Sequence, residues 1–312
     1  MKKYTLIIAF LAIATTTGFA QLGTPLAQYS GNQVIYNPGY SGIYDLLALN
    51  LSIRKTWVGL PGSPSLISAN GHAPFKNQRN SLGFIFQREQ WGPLFGNFCY
   101  ANYAHKIYFK NSLLSLGVQA GFINSVTDWD MIDYVTHEND PGLGEGRTSN
   151  TSFDLNVGVY YQAAMFYLGL SAKHLTHPKF HSLRDSATGV EWYSQKRMNT
   201  FLTAGFHFKI DDDWALHPEA LIRYVYTEPM SVTAGVHAVY QNRFFLGTSL
   251  HTGQRAVSFS ARAFLTEQLR LAYSYDVYFG KLRSFQKGSH EILINYHIPL
   301  WDKKKTVTLL WL

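Results

Sequence analysis

From about residue 44 onward, apolar and polar positions alternate along the chain with a period of two. In the run Leu114 to Phe122 every even position is apolar, and the odd ones are Ser115, Gly117, Gln119 and Gly121. The same alternation sets Leu155, Val157, Val159 and Tyr161 against Asp154, Asn156, Gly158 and Tyr160. It recurs at Val232, Ala234, Val236 and Ala238, and at Leu271, Tyr273, Tyr275 and Val277. Near the end, Ile292, Ile294, Tyr296 and Ile298 alternate with Glu291, Leu293, Asn295 and His297. A period of two marks strands whose faces meet different surroundings. Runs of about ten residues suit tilted strands that cross a bilayer, and a face rich in Gly, Ser, Asn and Gln suits a polar lumen. The apolar face is therefore expected to point outward, with Leu114, Leu116, Val118, Ala120 and Phe122 against lipid.

The pattern predicts strands at 44–54, 65–73, 80–90, 94–109, 111–126, 151–162, 164–174, 196–210, 212–227, 229–241, 243–252, 254–265, 267–280 and 288–299. An even number, about fourteen, fits an all-β chain folded as a single transmembrane antiparallel β-barrel. Even-numbered connections are tight and polar, as at Lys110-Asn111, Asp211-Asp212-Asp213 and Gln241-Asn242-Arg243. The two long connections, roughly 126–150 and 175–196, are both odd-numbered. Short periplasmic turns facing longer outer loops give this asymmetry. Trp91, Trp214 and Trp301 fall at strand ends, where an interfacial aromatic girdle would place them. No linker or repeat divides the chain.

Composition narrows the class further. The 312 residues are 46% hydrophobic, 15% aromatic and 15% charged, with a net charge of +7. A mean hydropathy of −0.11 is too low for a bundle of membrane helices. The positive excess is too diffuse for a nucleic-acid footprint. Lys2 and Lys3, an apolar stretch from Tyr4 to Ala14, and Gly18-Phe19-Ala20 read as a cleaved signal peptide over residues 1–20. The organisation expected is a signal peptide (1–20), a periplasmic or plug segment (21–43), the barrel (44–299), and a tail or end of the last strand (300–312). The single cysteine, Cys99, reads as a small packing residue.

Candidate chemistry is sparse. His174, His177 and His181 have a spacing that could bind zinc or copper, but Pro178 blocks a helical face and no thiolate is near. Asp128, Asp130 and Asp133, followed by Glu138, Asp140 and Glu145, lack the glycine and terminal glutamate of a calcium loop. No nucleophile elbow frames any serine, so the surface lipase that a barrel can be is not indicated. The chain is expected to be no enzyme and to need neither metal nor cofactor. The face opposite the apolar one carries Lys173, His207, Lys209, His237, Arg262, Arg270, Asp276, Glu291 and His297. Mixed charge suggests a cross-linked, partly plugged lumen rather than an ion-selective ring.

Before the first strand stand Gln28-Tyr29 and then Asn37-Pro38-Gly39-Tyr40-Ser41-Gly42; after it come Arg54, Trp57, Gly59, Gly62, Pro64 and Ala73-Pro74. Further along are Asp140-Pro141, Tyr167-Leu168-Gly169-Leu170-Ser171, Leu246-Gly247, Tyr273-Ser274-Tyr275-Asp276 and Gly288-Ser289-His290-Glu291-Ile292-Leu293. Taken in order, this set resembles the PorP/SprF family of outer-membrane proteins of the Bacteroidota type IX secretion system, over essentially the whole mature chain. Gly39 stands where the family more often has alanine, and Asp302 to Leu312 run past the last expected strand.

The resemblance implies a barrel in the cell outer membrane that serves protein secretion and gliding motility. Its partners would be outer-membrane lipid, other secretion subunits and an exported adhesin with a C-terminal sorting domain. The alternative is a passive or fatty-acid-type transport barrel. Tyr29, Val34, Ile35, Tyr36 and Tyr40 give residues 28–42 apolar surface that should not stay in water, so this segment is expected to be ordered. Tyr29, Tyr36, Asn37, Pro38, Tyr40 and Trp57 are the candidate partner-binding residues. Gln119→Arg, on the polar face, is expected to be milder than Val118→Arg. Chelation is expected to leave the melting temperature and partner binding unchanged; a chelator-induced loss of either would show that the loop histidines hold a metal.

Overall fold

The computed structural model describes residues 26–131, 146–184 and 191–300, with main chain only at 181–184, 191–194 and 281. Fourteen strands close into an antiparallel barrel: β1 (Leu46–Lys55), β2 (Ser65–Pro74), β3 (Asn80–Trp91), β4 (Leu94–Tyr108), β5 (Ser112–Asp128), β6 (Arg147–Ala163), β7 (Phe166–Lys173), β8 (Asn199–Phe206, resumed at Phe208–Lys209), β9 (Trp214–Val225), β10 (Glu228–Tyr240), β11 (Phe244–His251), β12 (Ala256–Phe264), β13 (Leu269–Tyr278) and β14 (Ser289–Pro299). Each strand pairs with its sequence neighbours. Closure comes from β1 on β14, where Leu46 faces Pro299, Asn50 faces Asn295 and Lys55 faces His290. Closure leaves no unpaired edge, which is what strands in a bilayer require. All fourteen expected strands are present, most of them within a few residues of their expected limits. β6 starts four residues early, at Arg147, because it stays paired with β5 as far as Asp128.

The turns at 75–79, 109–111, 164–165, 210–213, 241–243 and 265–268 lie at one end, the periplasmic end of such barrels. The other end carries the longer connections. One of these, expected as a loop, contains a hairpin (Lys179–Arg184 with Glu191–Gln195). At its base Phe180 is buried against Val34, Ile85, Phe98, Tyr100 and Ile123, so the hairpin packs into the barrel mouth.

Facing follows the alternation. Leu116, Val118 and Phe122 are exposed on the outer wall, while Ser115, Gln119 and Ile123 are buried inside. The interior is filled by the chain itself. Residues 26–45 lie within the lumen before β1 begins at the short-turn end, and Tyr29, Val34, Ile35 and Tyr36 are all buried there.

Several residues sit elsewhere than expected. Cys99 is exposed on the outer wall, because Phe98 and Tyr100 take the inward positions. Lys209 lies past the end of the lumen, exposed at the last position of β8 and paired with Asp212 of the short turn at 2.6 Å. Trp91 and Trp214 do fall at strand ends. The leader at 1–20, Asp133, Glu138, Asp140, Glu145, Trp301 and the tail 302–312 lie outside the described residues, as does the His181 side chain.

Gln119 is not a tolerant position. It is 1% exposed and its Oε1 accepts from Asn156 Nδ2 at 2.6 Å, so an arginine there must displace the lumenal packing. Val118→Arg should cost roughly 2–4 kcal/mol in a bilayer refolding titration. Gln119→Arg should cost a comparable amount, roughly 1–3 kcal/mol, through overpacking. Lys209→Ala should stay within about 0.5 kcal/mol of the parent. A neutral Val118→Arg would mean that this face does not meet lipid.

Candidate functional site

The segment that fills the barrel is held by hydrogen bonds from β1, β2, β3, β4, β6, β7, β12 and β14. At its start, the amides of Ala27 and Gln28 donate to the two oxygens of Glu291, at 2.8 and 3.1 Å. The same carboxylate accepts from Arg54 Nη1 at 3.0 Å, and Arg54 Nη2 binds Asp276. Arg54, Asp276 and Glu291 are at most 1% exposed. Two carboxylates thus share one guanidinium, and the segment's main-chain dipoles and the Ser258 hydroxyl, which donates to Asp276, supply the remaining donors.

Half a turn further on, a chain of asparagines crosses from wall to segment. Asn295 donates to Asn50, Asn50 to Asn70 and Asn70 to Asn32, at 2.6, 2.8 and 3.0 Å. Asn32 in turn donates to Ser52 at 3.1 Å. Register makes this possible, because Asn50 lies directly across from both Asn295 and Asn70. Lys173 Nζ and Ser171 Oγ then cap the carbonyls of Ile35 and Tyr36, at 2.9 and 2.7 Å.

Asn37-Pro38-Gly39 is the tightest contact. The Asn37 carboxamide oxygen accepts from Gly39 N at 2.8 Å, and its Nδ2 donates to Val159 O at 2.9 Å. The segment lies flat on the paired Gly117 and Gly158 of β5 and β6. A Cβ on Gly117 would stand 2.3 Å from Gly39 N, and one on Gly158 2.1 Å from Asn37 Oδ1. Only glycine leaves room for the backbone here. Tyr40 then packs edge-on to Tyr44, His72 and Tyr160. The segment turns at Gly42, whose amide donates to His72 Nδ1 at 3.0 Å and whose carbonyl takes Lys106.

Of the candidate partner-binding residues, Tyr29, Tyr36, Asn37, Pro38 and Tyr40 come together inside the lumen, the first four buried and Tyr40 half-buried. Trp57 stands apart in the β1–β2 loop, with its ring edge-on to Tyr278 and its amide bonded to Ser289. Sequence reasoning missed Asn32, Asn50, Asn70 and Asn295 as a connected set. Their signal was present as inward polar positions, but the pairing depends on register. The lumenal charges are cross-linked in part: besides the Arg54 cluster, His237 meets Glu219 at 3.1 Å, and Arg270 lies over the Phe264 ring at 4.2 Å.

His174 and His177 do not converge. His174 turns inward to Asp154 at 2.8 Å, and burial pushes its imidazole down to about 4, whereas His177 is exposed. Among the described residues, no three His, Cys, Asp or Glu side chains gather as a metal site.

Small cavities remain. One of about 130 Å³ lies between Leu26, Ile35 and Tyr36 of the segment and the inward-facing Glu89, Lys173 and Arg223, with Lys196 beside them. Another of about 270 Å³ lies beneath the hairpin.

Arg54→Ala should lower folding stability by about 3–5 kcal/mol in a urea titration, because it strands two buried carboxylates. Gly158→Ala should cost roughly 1–3 kcal/mol and expose residues 26–45 to protease. A Gly158→Ala barrel with a fully protected segment would contradict this docking.

In fold the chain is similar to the toluene transporter TbuX of Ralstonia pickettii (TM-score 0.52, 10% identity, covering 85% of this chain and 92% of that one). It is also similar to the toluene transporter TodX of Pseudomonas putida (TM-score 0.51, 8% identity, covering 91% of this chain and 100% of that one). At such identities the likeness is one of architecture. No curated protein matches it in sequence. The family model for the type IX secretion system membrane protein PorP/SprF matches residues 19–296. Nearly the whole barrel and its lumenal segment fall within that match, and the chain belongs to the PorP/SprF family of outer-membrane β-barrels.

Proposed function

We propose that the protein is a non-enzymatic barrel of the type IX secretion machinery that supports export and surface attachment of proteins with a C-terminal sorting domain, adhesins among them. Its partners are the other secretion subunits and the exported protein. The observation that carries this reading is the filled lumen. Among the described residues, a segment hydrogen-bonded to eight of the fourteen strands occupies the lumen, which favours a platform over a conduit. Tyr29, Tyr36, Asn37, Pro38 and Tyr40 would meet a partner only after the segment moves, while Trp57 lies beside the outer surface.

The transport reading draws on the fold shared with two toluene transporters. The cavity above the segment does not suit a hydrocarbon path, since Glu89, Lys173, Lys196 and Arg223 line it. Deleting residues 21–36 from the full chain tests both readings. The parent barrel should be silent in planar bilayers and co-purify with secretion subunits. The deletion should fold, conduct, and fail to support surface display of a sorting-domain protein. A parent that conducts steadily, or a deletion strain with normal display, would overturn the platform reading.

A further inference from the structure

The outer rim of the barrel is electrically lopsided. Three neighbouring connections, 56–64, 252–255 and 279–288, contain Arg255, Lys281, Arg283 and Lys287 and not one Asp or Glu. Lys55 ends the adjoining strand β1. The carboxylates of the strands beside them, Asp276 and Glu291, face the lumen and are held by Arg54. Across the ring, Asp128 ends β5 and Asp130 follows it.

The basic side is also apolar. Phe279, Leu282 and Phe285 are 51%, 46% and 68% exposed, interleaved with the exposed Arg283 and Lys287. Hydrogen bonds bring the connections together. Phe279 N donates to Arg255 O at 2.8 Å, and Lys287 N donates to Val58 O at 2.7 Å. The loop is also pinned to the outer wall instead of rising above the mouth. The outward series Leu271, Tyr273, Tyr275, Val277 continues without a break to Phe279. Tyr273 and Tyr275 gather on the His290 ring, and the Tyr275 hydroxyl donates to Lys287 O at 3.1 Å.

We infer that this basic, aromatic face binds the phosphorylated glycolipid of the outer leaflet. Cations at headgroup height match phosphate charge, and the interleaved phenylalanines and leucine enter the acyl boundary below it. The surface is continuous with the wall that already meets lipid, which favours a lipid over a protein occupant. The inference rests on the outer-membrane barrel and is independent of the secretion reading.

The test uses the purified full chain in neutral detergent, incubated with lipid A carrying its phosphates or stripped of them. Bound lipid is measured by native mass spectrometry, and folding by heat-modifiable gel mobility. The parent should retain the phosphorylated form in strong preference, and salt should weaken that retention. The triple variant Arg255→Gln, Arg283→Gln, Lys287→Gln should fold and lose retention by roughly a hundredfold at low salt. The variant Phe279→Ser, Phe285→Ser should lose binding of both forms. Equal retention by the charge variant, or no preference for phosphate in the parent, overturns the inference. So does a charge variant that keeps its lipid but loses capture of an acidic secreted protein.

Discussion

A carboxylate buried between a guanidinium and two main-chain amides is the interaction from which the rest of the interior is arranged. Glu291 cannot be ionised inside the barrel without full hydrogen bonding, and the wall supplies only Arg54, which Asp276 shares. The missing donors are the amides of Ala27 and Gln28. The wall is therefore electrostatically incomplete without the segment, and the segment is left with unpaired amides without the wall. Each completes the other, and that fixes where residues 26–28 sit and hence the path of everything up to β1.

The motifs that carry the family resemblance become intelligible as parts of one contact. Asn37-Pro38-Gly39 lies against Gly117 and Gly158, while Gly169 leaves room for the Asn37 amide and Ser171 caps the Tyr36 carbonyl. Asp276 and Glu291 come from two other motifs, and Arg54 from a third. These pieces are scattered over more than two hundred residues, yet the barrel brings them to one column of the lumen. Pro38 adds rigidity where the backbone is pressed most closely against the wall.

Period-two alternation made the barrel legible, because a lipid-facing wall and a polar lumen impose opposite demands on successive residues. Val118 and Phe122 could be assigned to the outer face on that ground alone. The same rule could not say what Gln119 would touch, because polarity marks the inward direction and not its occupant. It misplaced Lys209, whose strand runs out of lumen before that residue is reached. It gave Asn295 as an inward position but not as the partner of Asn50, since that depends on closure between the first and last strands. The hairpin at Phe180 was hidden for a related reason: its apolar contacts are with the mouth and with Val34, far away in sequence.

How firmly the segment is seated bears on every functional reading. A dozen or so hydrogen bonds, together with the burial of Tyr29, Val34, Ile35 and Tyr36, offset the entropy cost of ordering the segment. Spontaneous expulsion would also strand Glu291 and the asparagine chain, which sets the seated state against the chain entropy gained on release. The fit is loosest around Leu26, Ile35 and Tyr36, beside the void of about 130 Å³, and a smaller one of about 30 Å³ is lined by Ser30, Gln33, His217, Glu219 and His237. Any partner that displaces the segment must replace the donors at Glu291 as it does so. An extended peptide, which brings main-chain amides of its own, meets that requirement; an apolar small molecule does not.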